Sequence, residues 1–375
     1  MIASFLFYAL LASSSTANAY SLAKSFTYSV VPGIFQQDDP ATDPSTFNFT
    51  ASNFGLIPRP YPSDPSCPNP QQATQWQRLS HYITTLNAQA NSSDRYTLLF
   101  LGRHGEGFHN AAESYFGTPA WNCHWAVRNG NATVTWADAQ LTPLGAQQAT
   151  QVRDFWQHLL TDEKISPPDS YYTSPLYRCL TTADLSFSTL DLPASKPFKP
   201  IVKEFLREGI SAHTCDRRSD KSFLERQFPA FAFEAGFQEE DPYWMEMKTE
   251  PRENQDARSK AVLDDIFGGD RASYISVTAH SGAVSSLLRG RGIPSPEVHV
   301  PLYTPDTDSR VPQTIVLNHR PFRLSTGSAM PVLVKITSST TETPPSPALP
   351  YTPKTTCAVP PTIREPSCND CSCCV

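Results

Sequence analysis

A chain of 375 residues with 39% hydrophobic side chains can bury one large core or two modest ones. A formal net charge of −6, without any long basic run, excludes the electrostatic footprint of a nucleic-acid binder. Prolines number 35 against 16 glycines and concentrate in the first 70 residues and after Pro344, which predicts extended, poorly packed ends around a compact middle.

Residues 1–19 read as a signal peptide: an apolar core "IASFLFYALLA", small polar residues, then Ala17-Asn18-Ala19 as an A-x-A cleavage site. The apolar core is too short to span a bilayer, so secretion without a stable membrane span is expected. The leader lacks Lys or Arg, and an uncleaved anchor is the alternative. Residues 20–94 form an N-terminal extension. Asn48, Asn91 and Asn131 each open an N-x-[ST] triplet and are candidate glycosylation sites.

From residue 95 the pattern alternates. "RYTLLFLG" is a buried strand, and "TPLGAQQATQVRDFWQHLLTD" an amphipathic helix with Thr142 as cap and Pro143 in its first turn. "SYYTS" reads as a strand followed by a helix from Pro175, "PIVKEFL" as a third strand, and "SYISVTA" as a fourth leading into the helix "SGAVSSLLRG". Residues 291–317 have no periodicity and read as an exposed loop insertion. "MPVLVKI" then docks as a last strand, closing a catalytic domain over 95–337. The remainder, 338–375, reads as a disordered Pro/Thr/Cys-rich tail. Five of the nine cysteines lie there, and an odd total cannot all pair internally, which allows disulfide-linked oligomers. The tail's spacing matches no zinc module.

Strands alternating with helices predict an α/β, three-layer fold with a mostly parallel central sheet and helices on both faces. Ligands of such sheets bind beyond the carboxyl ends of the strands. Arg103 and His104 follow the first strand, Ser174 to Arg178 the second, Arg207 and Glu208 the third, and His280 the fourth. Four loops thus bring arginines, histidines and a carboxylate to one crevice, the inventory of a site for a small-molecule phosphate ester.

Each residue type suits that chemistry. Guanidinium forks such as Arg103 and Arg178 clamp phosphoryl oxygens in bidentate fashion. A neutral imidazole can attack phosphorus and split one hard step into two. A second, protonated imidazole can stabilise transition-state charge, and a carboxylic acid can protonate the leaving oxygen. Gly105 and Gly107 would let the backbone approach the phosphate. No metal or organic cofactor is required.

"LGRHGEGFHN" resembles the signature of the histidine phosphatase superfamily, in its phosphoglycerate-mutase-like branch, and the chain is similar to fungal proteins of the phosphoglycerate mutase family. "LTPLGAQQA" and "TSPLYRCLTTA" resemble that family's helix-start and second-arginine motifs. The resemblance implies a phosphohistidine mechanism with His104 as nucleophile, Glu208 in "LREG" as proton donor, and His280 in "VTAHSGAV" as second histidine. Arg103, Arg178 and Asn110 would bind phosphate, Asn110 having simple turn chemistry as its alternative. Glu106, Glu113 and Asp138 are rival donors, and a surface pair with Arg207 is the bland reading of Glu208. Ser281 stands where phytase-like relatives carry an Asp donor, which points back to Glu208. His109, His213, Arg217 and Arg218 are further candidate substrate contacts, whereas "FPAFAFEAGF" reads as core or lid. The reading is a secreted phosphomonoesterase; a mutase or an inactive phosphate-ligand binder on the same fold are the alternatives.

Overall fold

The computed structural model describes residues 25–290, 314, 316–339, 348–361 and 371. The signal-peptide segment and most of the expected insertion lie outside the described residues. In chain order the elements are β1 (Ser25–Val30), α1 (Gln75–Gln89), β2 (Asp94–Arg103), α2 (Phe108–Phe116), α3 (Thr118–Ala120), α4 (Pro143–His158), β3 (Ser170–Thr173), α5 (Tyr177–Phe187) and β4 (Pro200–Val202). They continue with α6 (Lys221–Gln227), β5 (Ala232–Phe233), β6 (Lys248–Thr249), α7 (Arg252–Gly269), β7 (Tyr274–Ala279), α8 (Ser281–Leu288), β8 (Ala329–Ser339) and β9 (Thr352–Pro353).

Seven strands form the main sheet in the order β1-β8-β2-β7-β3-β4-β5. β2, β7, β3, β4 and β5 are mutually parallel, and β8 runs antiparallel to both β1 and β2. The expected α/β architecture is therefore present, and "MPVLVKI" docks as foreseen.

Side-chain alternation decides which helices cover which face. Leu99 and Leu101 join Val277, Val334, and the α7 and α8 residues Leu263, Phe267, Val284 and Leu287 in one core cluster. Leu98 and Phe100 join Leu333 and the α1 and α4 residues Trp76, Leu79, Phe155 and Trp156 in the other. β7, central in the sheet, is buried along its whole length, including the polar Ser276 and Thr278. Thr142 caps α4 as expected, accepting from the Gly145 N–H at 3.1 Å.

Several expectations are corrected. Residues 25–94 are not a poorly packed extension. β1 is an edge strand of the main sheet, and Phe35, Phe49 and Phe54 enter the core beside Trp76, Phe100 and Trp156. Val316 and Leu317, assigned to the insertion, are core: Leu317 N–H donates to the Leu287 carbonyl at 2.9 Å, and both side chains are buried under α8. The tail is not wholly disordered. β9 pairs with β6, Cys371 is disulfide-bonded to Cys123, and Cys357 is also disulfide-bonded. "PIVKEFL" is a strand only over β4, with Glu204–Leu206 a tight 3-10 turn. In "FPAFAFEAGF" the core reading is met: Phe228, Phe231 and Phe237 are buried with Leu180 and Val202.

Candidate active site

Arg103, the last residue of β2, lies opposite Ala279, the last of β7. Their successors, His104 and His280, therefore leave the sheet side by side, with ring centroids 5.0 Å apart. The His104 N–H donates to the Ala279 carbonyl and the Ser174 N–H to the Thr278 carbonyl, each at 3.0 Å, which holds the end of β3 level with them. Arg178 follows from the first turn of α5. His104, Arg178 and His280 are all buried.

The His104 loop is fixed by its neighbours. The Gly105 N–H donates to Thr182 Oγ1 at 3.0 Å and the Glu106 N–H to Gln148 Oε1 at 2.8 Å. A Cβ on Gly105 would lie 2.2 Å from the Gly145 carbonyl oxygen, and one on Gly145 2.0 Å from that of Glu106. A Cβ on Gly107 would lie 2.6 Å from His109 Nδ1. The glycines thus serve contacts within the protein, between loop, helix α4 and His109, rather than only the approach of a phosphate.

His104 Nδ1 lies 2.7 Å from the Gly105 carbonyl, which can only accept, so Nδ1 carries the proton and Nε2 keeps its lone pair. Arg178 Nε donates to that Nε2 at 3.2 Å, and Arg178 Nη1 to the Cys215 carbonyl at 2.7 Å. Burial, then Arg178 and Arg103, hold the His104 pKa well below the usual histidine value. His280 is lowered likewise, by burial and then Arg178, with His104, His109 and Arg103 adding to it. The expected protonated second imidazole is therefore neutral without ligand, because the cations around it oppose another positive charge. Ser174 Oγ, 2.7 Å from His280 Nε2, and Cys179 Sγ, 3.3 Å from it, hold that ring.

Arg103 donates from Nη1 to the Leu324 carbonyl at 2.9 Å, while its Nε is buried without a hydrogen-bond partner. Its pKa is lowered chiefly by burial, against which Glu208 acts. His109 stands 5.4 Å from His104, ring to ring, its Nδ1 equally buried and unpartnered, its pKa pushed far down by burial. Asn110 Oδ1 accepts from the Gly107 N–H at 3.0 Å, so the turn chemistry is real and any phosphate contact falls to its Nδ2.

Glu208 is half-buried and makes no ion pair with Arg207. Its Oε2 accepts from the Gly282 N–H at 3.0 Å and its Oε1 from its own Gly209 N–H at 2.9 Å, so the carboxylate lies against the start of α8, beside His280. The rivals are held elsewhere. Glu106 accepts from Thr142 Oγ1 at 2.7 Å and Glu113 from Thr118 Oγ1 at 3.1 Å. Asp138, pushed up by burial, accepts from the N–H groups of Tyr177 and Ser219, each at 2.9 Å.

Arg207 and Arg218 are structural rather than substrate contacts. Arg207 Nη1 meets Glu204 at 3.0 Å and its Nη2 meets Asp241 at 2.6 Å; Arg218 Nε meets Glu204 at 2.9 Å. Arg217 lies over the Trp244 ring and donates to Asn129. His213, lowered to about 4 by burial, lies with Cys215 and Asp216 such that their ligand atoms fall within 4.8 Å. The Asp216 carboxylate is however held by Ser211 Oγ at 2.5 Å and faces Arg178 at 3.7 Å, and burial pushes the Cys215 thiol up. Sequence reasoning missed the supports Thr182, Gln148 and Cys179; Thr182 and Cys179 lie inside the "TSPLYRCLTTA" motif and Gln148 inside "LTPLGAQQA", which were the available signals.

Fold and site together define an α/β protein whose histidines and arginines gather at the carboxyl ends of its parallel strands. Residues 99–298 match the family model of the histidine phosphatase superfamily, branch 1. The chain is 44% identical over 314 residues, 84% of its length and 86% of the relative's, to a protein of Arthroderma benhamiae named "Probable phosphoglycerate mutase". It is 34% identical over 257 residues, 68% of its length and 70% of the relative's, to "Phosphomutase-like protein 3" of Candida albicans. Among solved structures, a phosphoglycerate mutase of Thermus thermophilus is 18% identical, with 62% of this chain and 91% of that one covered and a TM-score of 0.29. The chain belongs to the histidine phosphatase superfamily.

Proposed function

We propose that the protein is a phosphomonoesterase acting through a phosphohistidine on His104. The observation that carries this is the state of His104: neutral, with Nδ1 tied to Gly105 and Nε2 unprotonated beside the Arg178 guanidinium. An arriving phosphate oxygen takes the Arg178 N–H and frees Nε2, which attacks phosphorus as the ester P–O bond breaks. Glu208 protonates the departing oxygen, and Arg103, Arg178 and His280 hold the phosphoryl oxygens; the dianion's charge favours the protonated form of His280. Water then attacks the phosphohistidine and gives a proton to the Glu208 carboxylate as the P–Nε2 bond breaks, which regenerates His104 and the Glu208 acid and releases inorganic phosphate.

A mutase would use the same residues but must also grip the anionic groups of a retained substrate. Arg207, Arg218 and Arg258, which surround the Glu208 loop, are committed to Glu204, Asp241 and Glu250, and this favours hydrolysis. The mutase names of the relatives keep that second reading in play. Phosphate release from p-nitrophenyl phosphate that His104→Ala abolishes, in a protein that stays folded, supports the esterase. Phosphoglycerate interconversion without release supports the mutase, and neither activity supports an inactive binder.

We infer passage through the secretory pathway. Asn48, Asn91 and Asn131 are all exposed, and each Oδ1 accepts from the hydroxyl of its own triplet, Thr50, Ser93 and Thr133, at 2.8, 2.7 and 3.0 Å. The disulfides fit an oxidising compartment. Among the described residues no helix is long and apolar enough to cross a membrane. A mass shift on enzymatic deglycosylation of protein from the native host tests this reading, and its absence refutes glycosylation.

A further inference from the structure

The Glu208 carboxylate is carried on a stretch without regular structure, and one buried ion pair ties that stretch down on both sides. Arg258, on α7, donates from Nη1 to the carbonyls of Phe205 and Arg207 at 3.2 and 3.0 Å, and from Nη2 to the Glu208 carbonyl at 2.7 Å. Its other edge meets Glu250 at two points, Nε to Oε1 and Nη2 to Oε2, each 2.8 Å. Glu250 in turn accepts at Oε2 from the Ile210 N–H at 3.0 Å, and its own N–H donates to the Ile210 carbonyl at 2.7 Å. Both side chains are over nine-tenths buried, with exposures of 8% and 3%. The tail strand β9 pairs with β6 immediately before Glu250.

We propose that the Arg258–Glu250 pair is a positioning device for proton delivery: it fixes the main chain on either side of Glu208 and so sets where the carboxylate meets the leaving-group oxygen. This rests on the reading of Glu208 as proton donor. A planar fork that serves three carbonyls and a carboxylate at once has no equivalent in an ammonium group. Neither residue touches the phosphoryl cradle, so loss of the pair should leave attack by His104 intact and impair only departures that need a proton.

The test compares phenyl phosphate, whose leaving group needs protonation, with p-nitrophenyl phosphate, whose leaving group needs little. Arg258→Lys and Glu250→Gln should each lower kcat for phenyl phosphate about tenfold more than for p-nitrophenyl phosphate, as a donor misplaced by a fraction of an ångström predicts, with KM little changed. In a Glu208→Gln background the selective loss should vanish. Equal losses on both esters in folded protein, or a selective loss that persists without Glu208, overturn the inference. If Arg258→Lys does not fold, Glu250→Gln, nearly isosteric, decides alone. An even-handed Glu208→Gln refutes the donor reading itself, whereas a selective Glu208→Gln beside an even-handed Arg258→Lys refutes only the positioning role.

Discussion

Gly282→Ala separates the stability of this protein from its chemistry. A Cβ at Gly282 would lie 2.1 Å from Glu208 Oε1 and 2.9 Å from Cδ, and no backbone atom is among its three nearest neighbours. The obstacle is the far end of a side chain, so the fold can accept the methyl by moving the carboxylate. Clearing the contact to beyond 3.0 Å shifts Oε1 by about 1 Å and draws Oε2 from the Gly282 N–H. Alanine in the first turn of α8 gains up to about 1 kcal/mol of helix propensity, and the lost hydrogen bond costs about as much. The melting temperature should therefore stay within a few degrees of the parent. A donor misplaced by about 1 Å costs on the order of a hundredfold in rate where protonation limits. Steady-state kinetics should show that loss on phenyl phosphate and a much smaller one on p-nitrophenyl phosphate. An unchanged rate on phenyl phosphate would refute the placement of the donor. An equal loss on both esters would mean that the methyl had disturbed His280 and the cradle instead.

Other outcomes follow from the same geometry. His104, His109, His280 and His213 all have pKa values lowered by burial, so between their native values and about 6.5 the unfolded chain binds protons that the native protein does not. Stability should therefore fall as pH drops below about 6.5, read by thermal unfolding across pH, and inorganic phosphate should lessen the fall by favouring protonated His280; a flat profile would contradict the neutral assignment. Leu317→Ala should cost about 2–5 kcal/mol in denaturant unfolding, whereas a loop residue would cost almost nothing. Cys123→Ser releases a link spanning 248 residues; it should lower stability by about 2–5 kcal/mol and expose residues 348–357 to limited proteolysis. An intact, resistant tail would show that pairing with β6 and the two hydrogen bonds between the Asn254 side chain and the Leu349 backbone, each 2.8 Å, suffice.

The parts legible in the sequence were those where composition and position coincide. Four strand-like runs with charged residues at or just beyond their ends gave the parallel strands β2, β3, β4 and β7 and the placement of His104, Arg178, Glu208 and His280 beyond them. The N-terminal half-core was illegible because Phe35, Phe49 and Phe54 follow no helical or strand period among prolines; their burial against Trp76 and Trp156 is a purely tertiary event. The cysteine pairing was illegible because counting cannot assign partners, and here the partner of Cys371 lies far upstream. Arg258 was hidden for another reason. The first half of α7, "RENQDARSK", reads as a solvated surface, and only the fold buries Asp256, Arg258 and Ser259 within it.

The buried and half-buried arginines of this protein differ in what neutralises them. Arg207, Arg218 and Arg258 each meet a carboxylate oxygen at 2.6–3.0 Å, and their charge is settled within the protein. Arg103 bonds a carbonyl and leaves Nε unmatched; Arg178 bonds a carbonyl and an imidazole, with its nearest carboxylate oxygen at 3.7 Å. A buried cation without a hydrogen-bonded counter-ion is expensive unless something else supplies the negative charge. Arg95, at the start of β2, likewise bonds only carbonyls and leaves Nε unmatched, so a missing carboxylate does not by itself mark a ligand site. What sets Arg103 and Arg178 apart is that they stand beside three imidazoles with lowered pKa values, where on the proposed function a phosphate dianion would bring that charge. The distinction is physical rather than motif-based: cations already matched by carboxylates hold the scaffold, and on the proposed function the two left short of one beside neutral imidazoles are where the phosphate goes.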